Sequence, residues 1–210
     1  MFTKARFPLS GLYGITPELE DTRDLLCRVQ SALRGGMNCL QYRVKDLVPS
    51  VQKTQIHELK ELCAEYGVPF LINDGPSESR DWVGGSGWHV GEMDATPADW
   101  VRLAQQGWLG VSCYADEERA IMAERAGAHY VALGCFFPSL TKPMAPSVSF
   151  DVLKRVRRRL SIPIVAIGGM TTQRAHQLKL AGVDAVAVMS DLFYAADIQA
   201  RAEAYCQVFA

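Results

Sequence analysis

The chain has 210 residues, of which 49% are hydrophobic and 21% are charged. This composition is typical of a globular protein with a large core, and it predicts one domain over residues 1–210. The 22 Lys and Arg residues nearly balance the 23 Asp and Glu residues, so the formal net charge is -1. No global field therefore favours nucleic acid or an anionic membrane surface, and any anion site must be local.

The six cysteines include no CxxC pair and mostly lie in apolar runs. This pattern indicates reduced thiols and predicts a cytoplasmic location. The N-terminal segment MFTKARFPLSGLYGIT lacks the features of a secretory signal, and no apolar run reaches the roughly 18 residues of a membrane helix. We therefore expect no membrane partner and no nucleic acid partner. The sequence leaves the oligomeric state open, with a homo-oligomer among the alternatives.

In the first half of the chain, short apolar segments alternate with helical patterns. Strands are predicted at residues 11–16 (GLYGIT), 37–45 (MNCLQYRVK), 69–74 (PFLIND) and 87–91 (GWHVG). Helices are predicted at residues 22–34 and 50–66, the first capped by Asp21 or Thr22 and ended by glycines. The third connection is a polar crossing with only a weak helical pattern.

The same alternation continues through the second half. Strands are predicted at residues 108–114 (WLGVSCY), 129–137 (HYVALGCFF), 162–169 (IPIVAIGG) and 185–190 (AVAVMS). Helices are predicted from Thr96-Pro97 onward and at residues 116–126, 150–160, 171–181 and 197–208.

Eight apolar strands alternating with helices at a spacing of about 25 residues predict a single (β/α)₈ TIM barrel. An open doubly wound sheet is the alternative, but such a sheet usually uses fewer repeats over this length. In a barrel the carboxyl ends of all strands meet at one rim, so residues far apart in sequence converge there. We therefore expect the active site at that rim.

Polar or glycine residues follow seven of the eight predicted strands. They are Gln41, Arg43, Lys45, Asn73, Asp74, His89, Glu92, Asp94, Ser112, Ser139, Thr141, Lys142, Gly168, Gly169 and Ser190. Such a rim offers two carboxylates for Mg²⁺, three cations for phosphate oxygens, and hydroxyls and glycine amides for a smaller phosphate. This set suits a pyrophosphate with its metal ion and a second phosphorylated molecule.

Seven motifs at the strand ends carry a family resemblance. They are QYRVK (41–45), IND (72–74), HVGEMD (89–94), GVS (110–112), FFPSLTKP (136–143), AIGGM (166–170) and AVAVMS (185–190). In this order and at these positions they resemble the thiamine-phosphate synthase family. The resemblance implies a transferase that joins a pyrimidine diphosphate to a thiazole phosphate in thiamine biosynthesis and releases pyrophosphate with the help of Mg²⁺.

The resemblance also implies a role for individual residues. Asp74 and Asp94 would be the Mg²⁺ ligands, and Arg43, Lys45, Lys142 and Ser112 would be catalytic. The pyrimidine diphosphate would be bound by Gln41, Tyr42, Arg43, Val44, Lys45, Asn73, Ser112 and Lys142. The thiazole phosphate would be bound by Ser139, Leu140, Thr141, Gly169, Met189 and Ser190.

Simpler structural roles compete with these assignments. An isolated Asp74 or Asp94 would be interpreted as helix capping or turn chemistry. His89 is interpreted as a hydrogen-bonded barrel residue, because no residue spaced from it completes a metal triad. Two other functions also stay open: a TenI-like thiazole tautomerase and a non-catalytic barrel that binds a phosphorylated ligand. The presence of both acids and of Lys45 and Lys142 speaks against the tautomerase.

Overall fold

The computed structural model describes residues 9–74, 87–138 and 147–210. Over these residues eight parallel strands form a closed barrel, in which each strand pairs with its neighbours in chain order and β8 pairs with β1. The predicted (β/α)₈ class is therefore confirmed, and the open doubly wound sheet is excluded. Parallel pairing throughout places the carboxyl ends of all eight strands at the same rim.

The strands are short and almost entirely buried. Their bounds are β1 Gly11–Ile15, β2 Cys39–Tyr42, β3 Phe70–Asn73, β4 Gly87–Val90, β5 Trp108–Tyr114, β6 Tyr130–Gly134, β7 Ile164–Ile167 and β8 Ala185–Val188. Several end earlier than the sequence predicts, most clearly β2, where residues 43–45 follow the strand. Arg43 and Lys45 therefore lie in the loop just beyond the sheet.

The helices form the outer layer. Their bounds are α1 Thr22–Arg34, α2 Pro49–Glu65, α3 Pro97–Gln106, α4 Glu117–Arg125, α5 Phe150–Arg159, α6 Thr172–Leu180, α7 Ser190–Phe193 and α8 Ile198–Phe209. Side-chain caps define several starts: Asp21 accepts two backbone N–H bonds before α1, and Thr96 forms a capping box with Asp99 before α3. The connection between β3 and β4 lies outside the described residues.

The core has two layers. Outward-facing strand residues and the inner faces of the helices form the larger layer, which includes Leu40, Val111 and Leu153. Inward-facing residues fill the barrel, and Tyr13 and Tyr130 are the largest of them. Side chains thus fill the interior of the barrel, and the rim at the carboxyl ends of the strands can carry a site.

A cluster at the opposite end of the barrel ties α5 to β7 and β8. Asp184 Oδ2 accepts from Arg157 Nη1 at 2.8 Å and from the Ile164 amide at 2.7 Å. Arg157 also donates to the Leu160 and Ile162 carbonyls. One ion pair therefore satisfies backbone groups at the amino ends of two strands.

All six cysteines lie within the described ranges, and all are free thiols, with Cys39, Cys63 and Cys113 buried. No helix of the described ranges combines the length and the apolar character needed to cross a membrane.

Candidate active site

The loop after β2 brings two cationic residues to the rim. Gln41 precedes them within the strand and is buried, with 3% of its surface exposed. The Arg43 amide donates to Thr16 Oγ1 at 2.9 Å, and the Lys45 amide donates to Glu18 Oε1 at 3.3 Å. Side chains that follow β1 therefore hold the backbone of both cationic residues.

Tyr42 and Val44 alternate with these residues and have different surroundings. Tyr42 Oη donates to Gln55 Oε1 of α2 at 2.8 Å, and Val44 packs against the outer layer of the core. A cavity of about 90 Å³ between β2, β3 and α2 is lined by both, together with Lys45 and Asp74. The ends of β2 and β3 therefore open into one space.

Asp74 and Asp94 meet across the ends of β3 and β4, where their side chains are within hydrogen-bonding reach. Asp74 has a φ of +45°, and its amide donates to the His89 carbonyl at 3.0 Å. Asp94 Oδ2 accepts from the Gly91 amide at 2.6 Å. Residues 20 positions apart in the sequence thus place two carboxyl groups side by side.

The proximity of the two acids changes the ionisation of Asp74. Its pKa is raised from 3.8 to about 7, first by partial burial and then by the hydrogen bond to Asp94 and the repulsion from its charge. Hydrogen-bond donation from Asn73 and the charge of Arg43 act in the opposite direction. A cation between the two carboxylates would remove the repulsion.

This donor set fits a hard divalent cation such as Mg²⁺. Magnesium in proteins is commonly bound by one or two carboxylates, and water and substrate phosphate complete its octahedral shell. Within the three described ranges, no group of three or more His, Cys, Asp or Glu side chains could hold a metal ion. The Asp74 and Asp94 pair therefore suits an ion that arrives with a phosphorylated ligand.

A chain of hydrogen bonds crosses the barrel just below the rim. Gln41 Nε2 donates to Tyr13 Oη at 2.7 Å, and Tyr13 Oη lies 2.7 Å from Tyr130 Oη. Tyr130 Oη lies 2.8 Å from His89 Nδ1, and His89 Nε2 lies 2.8 Å from Ser112 Oγ. Two predicted substrate-binding residues, Gln41 and Ser112, thus lie at the two ends of one chain.

The structure confirms the interpretation of His89 as a hydrogen-bonded barrel residue. Its pKa is lowered to about 4, mainly by burial, so the imidazole is neutral at physiological pH. Sequence reasoning missed Tyr13 and Tyr130, because each lies inside an apolar strand. Gly110 was an available signal: a Cβ there would lie 2.0 Å from Tyr130 Cζ, so the glycine makes room for the ring.

Two glycines shape the loop after β7. Gly168 and Gly169 have φ values of +106° and +58°. A Cβ on Gly169 would lie 2.5 Å from the Pro138 carbonyl oxygen, so a side chain would displace the backbone. Arg174 Nη1 donates to the Gly169 carbonyl, and its guanidinium lies 4.7 Å from the centre of the Phe137 ring. Arg174 of α6 therefore anchors the loop after β7.

Met189 and Ser190 follow β8 at the adjacent position of the rim. Ser190 begins α7, which sequence reasoning missed because four residues are too few to show helical periodicity. Ser190 Oγ lies 3.3 Å from Met189 Sδ and is exposed. The ends of β7 and β8 are the positions at which barrels commonly bind phosphate.

Four predicted site residues, Ser139, Leu140, Thr141 and Lys142, lie outside the described residues. The other predicted site residues lie at the ends of β2, β3, β5, β7 and β8 or in the loop after β4, all at the same rim.

Comparisons with known proteins agree with this arrangement. A family model described as thiamine monophosphate synthase matches residues 12–192. A thiamine-phosphate synthase of Acidithiobacillus ferrooxidans is 44% identical over 208 residues, covering 96% of this chain and 94% of that protein. One of Bordetella pertussis is 46% identical over 211 residues, covering 97% and 96%.

A solved structure superimposes on this chain over nearly its whole length. Thiamine phosphate pyrophosphorylase from Pyrococcus furiosus superimposes with a TM-score of 0.84 at 28% identity, covering 97% of this chain and 96% of that one. The matches extend over nearly the whole barrel and include every strand end described above. The chain therefore belongs to the thiamine monophosphate synthase family of transferase enzymes.

Proposed function

We propose that this protein condenses 4-amino-2-methyl-5-hydroxymethylpyrimidine diphosphate with hydroxyethylthiazole phosphate, or its carboxylated form, to give thiamine phosphate and pyrophosphate. The observation that carries this proposal is the pairing of Asp74 and Asp94 at the rim, where Asp74 also lines one cavity with Lys45. The proposed active site occupies the carboxyl-end rim of one barrel domain spanning residues 1–210.

Asp74 and Asp94 would hold Mg²⁺, which would stabilise the negative charge of the departing diphosphate. Arg43, Lys45 and Lys142 would add positive charge around the same oxygens. The attraction between these cations and the diphosphate oxygens grows as the bond between the pyrimidine methylene carbon and the oxygen breaks. It therefore stabilises the transition state of the reaction more than the bound substrate. This electrostatic contribution is the main catalytic effect in the proposal.

Gln41, Asn73 and Ser112 would orient the pyrimidine, with the backbone of Tyr42 and Val44 beside it. Loss of diphosphate leaves a pyrimidinylmethyl cation, and the thiazole nitrogen forms the new carbon–nitrogen bond. The protein then needs no side-chain nucleophile; it needs alignment of the two substrates and exclusion of water.

The thiazole phosphate would lie against the loops after β7 and β8. Gly169, Met189 and Ser190 would provide backbone amides and a hydroxyl for its phosphate, as barrels commonly do at this position. Ser139, Leu140 and Thr141 would face the same substrate. The cytoplasmic location stays a prediction, which the six free thiols support, and the oligomeric state stays open, with a homo-oligomer among the alternatives.

The decisive test is the condensation itself. The purified protein is incubated with both phosphorylated substrates and Mg²⁺, and thiamine phosphate and pyrophosphate are quantified, with and without a chelator. We expect equal amounts of both products, and none when the chelator is present or either substrate is omitted. Isomerisation of the thiazole without pyrophosphate release would favour the tautomerase, and binding without turnover would favour the non-catalytic barrel.

A pair of lysine variants tests the site within the same assay. Lys45→Ala should lower kcat at least about tenfold, because a cation beside the departing diphosphate is lost. Lys154→Ala is the matched control: its side chain is 62% exposed on α5, and its ion-pair partner is Asp151 at 3.9 Å. An equal kcat for the two variants would show that Lys45 does not contribute to catalysis.

A further inference from the structure

The hydrogen-bond chain inside the barrel joins two residues of the proposed site through three that contact no substrate in the proposal. Gln41 and Ser112 are the ends, and Tyr13, Tyr130 and His89 are the connecting residues. Both tyrosines are fully buried, and His89 is 7% exposed. The two tyrosine hydroxyls at the centre of the chain are therefore shielded from bulk water.

The amide group at one end gives the chain a direction. Gln41 Nε2 can only donate, so Tyr13 Oη accepts from it. The Tyr13 proton is then directed to its other hydrogen-bond partner, Tyr130 Oη. Reversing this second bond would leave the proton of a fully buried hydroxyl without an acceptor, which is unfavourable.

The direction continues to Ser112. Tyr130 Oη accepts from Tyr13, so its own proton is available to His89 Nδ1. A neutral imidazole that accepts at Nδ1 carries its proton at Nε2. His89 Nε2 then donates to Ser112 Oγ, and the serine proton is directed elsewhere. Among the described residues no acceptor for that proton is present, and Ser112 lies at the carboxyl end of β5.

The packing around the chain supports a fixed geometry. The His89 and Tyr130 rings are nearly parallel, with centroids 5.7 Å apart and an interplanar angle of 22°. The Tyr13 and Tyr130 rings meet edge to face at 5.8 Å. Gly110 leaves the space that the Tyr130 ring occupies. The rings therefore have little freedom to break the chain by rotating.

We propose that Tyr13, Tyr130 and His89 are positioning residues that hold Ser112 as a hydrogen-bond donor toward the pyrimidine diphosphate. This inference rests on the proposed function for the identity of the ligand. The oriented hydroxyl would donate to the oxygen that gains charge as the diphosphate departs, so its contribution is larger in the transition state than in the bound substrate. The same chain turns the Gln41 amide nitrogen toward Tyr13.

A double-mutant cycle tests whether the chain acts through Ser112. Tyr130→Phe should lower kcat about tenfold while the KM for the thiazole phosphate changes less than about twofold. In a Ser112→Ala background the same Tyr130→Phe change should alter kcat less than about twofold, because the oriented donor is already gone. Independent, multiplicative effects of the two changes would overturn the proposal.

Tyr205→Phe is the matched control, because it also removes a buried tyrosine hydroxyl. Tyr205 Oη donates to Asp191 Oδ2 at 2.8 Å in the helical layer, outside the chain. We expect this variant to keep its kcat within about twofold of the unchanged protein. A tenfold loss in Tyr205→Phe would show that loss of any buried hydroxyl has the effect, and it would overturn the assignment.

A spectroscopic readout needs no catalysis. The ¹⁵N chemical shifts of the His89 imidazole, assigned with His89→Gln, distinguish a protonated ring nitrogen from an unprotonated one. We expect an unprotonated Nδ1 and a protonated Nε2 in the unchanged protein, and a mixture of tautomers in Tyr130→Phe. A protonated Nδ1 in the unchanged protein would contradict the direction of the chain.

These measurements separate the inference from the function on which it rests. If the unchanged protein makes no thiamine phosphate while His89 shows the expected tautomer, the proposed function fails and the geometry of the chain stands. If the protein is active and the cycle shows independent effects, the positioning role fails and the proposed function stands.

Discussion

Asp74 has a raised pKa because it is partly buried and faces Asp94. The folded protein therefore retains a proton that the unfolded chain loses at a lower pH, where its Asp ionises with a pKa near 3.8. Protonation of Asp74 thus favours the folded state, and this stability is lost as the pH rises from about 4 through about 7. Above that range the metal-free protein carries the full repulsion between the two acids.

We expect Asp94→Asn to raise the thermal unfolding midpoint of the metal-free protein at pH 8 by roughly 2–4 °C, the shift produced by about 1 kcal/mol in a domain of this size. The expected shift of the midpoint is small because Asp74 is exposed to solvent at the rim, and solvent weakens the repulsion between the two carboxylates. An asparagine can still accept from the Gly91 amide, so the turn is retained. The measurement is a melting curve at pH 5 and at pH 8.

The gain should shrink at pH 5, where Asp74 in the unchanged protein is protonated. A saturating concentration of Mg²⁺ should stabilise the unchanged protein more than the variant, since the variant lacks one carboxylate ligand. If Asp94→Asn lowers the midpoint at pH 8, repulsion between the two acids is not a source of instability.

Individual rim residues were predictable, whereas the residues that hold some of them were not. A polar residue directly after an apolar strand is conspicuous in sequence, and strand order in a barrel implies that such residues meet. This reasoning identified Asp74 and Asp94. It could not identify Tyr13 and Tyr130, because a tyrosine inside an apolar strand has the same pattern whether its hydroxyl is in a network or at a surface.

At the scale of the strand, Gly110 explains a motif that sequence reasoning recognised only by resemblance. It lies in GVS on β5, two residues before Ser112. A Cβ at this position would lie 2.0 Å from Tyr130 Cζ and 2.2 Å from Tyr130 Oη. The glycine therefore lets a full tyrosine ring from β6 lie across the barrel beside β5.

Gly110→Ala should lower the free energy of unfolding by about 1–3 kcal/mol, the usual loss when a packed core receives an extra carbon. The measurement is chemical denaturation followed by fluorescence. Adding Tyr130→Leu to Gly110→Ala should recover part of this stability, because the shorter side chain vacates the contact. Full stability of the single variant would show that the ring moves aside without loss.

The existence and order of the elements could be predicted, but some of their ends could not. β5 runs over residues 108–114 as predicted, because turn residues bound it on both sides. β2 was predicted to reach Lys45 but ends at Tyr42, since the Arg43 amide bonds to a Thr16 side chain instead of a neighbouring strand. Such a contact between distant residues leaves no local pattern in the sequence.

Across the whole barrel, the two ends differ in what they contribute. The carboxyl-end rim gathers the acids, the cationic residues and the glycine loops, whereas the opposite end carries an ion pair that also satisfies backbone groups. Asp184 is the acid of this pair, with an arginine and a backbone amide as its donors. In barrels of this type the amino-terminal end of the strands contributes to stability, and the carboxyl-end rim carries the functional site.

Asp184→Ala should lower the free energy of unfolding by about 1–2 kcal/mol, because Arg157 and the Ile164 amide lose their acceptor. The kcat should stay within about twofold of the unchanged protein, since the substitution lies at the far end of the barrel. Asp151→Ala is the control, because its 80% exposed carboxylate lies 3.9 Å from its lysine partner. A large loss of kcat in Asp184→Ala would show that the two ends are coupled.

We propose that Asp74 and Asp94 hold one Mg²⁺ for the departing diphosphate, and the Mg²⁺ dependence of pyrophosphate release tests this proposal most directly. We expect Asp74→Asn and Asp94→Asn each to lower turnover at limiting Mg²⁺ at least about tenfold, or about 1.4 kcal/mol, and to raise the half-saturating Mg²⁺ concentration. Asp151→Asn should behave as the unchanged protein. Identical Mg²⁺ curves for all four proteins would show that the two acids do not hold the ion.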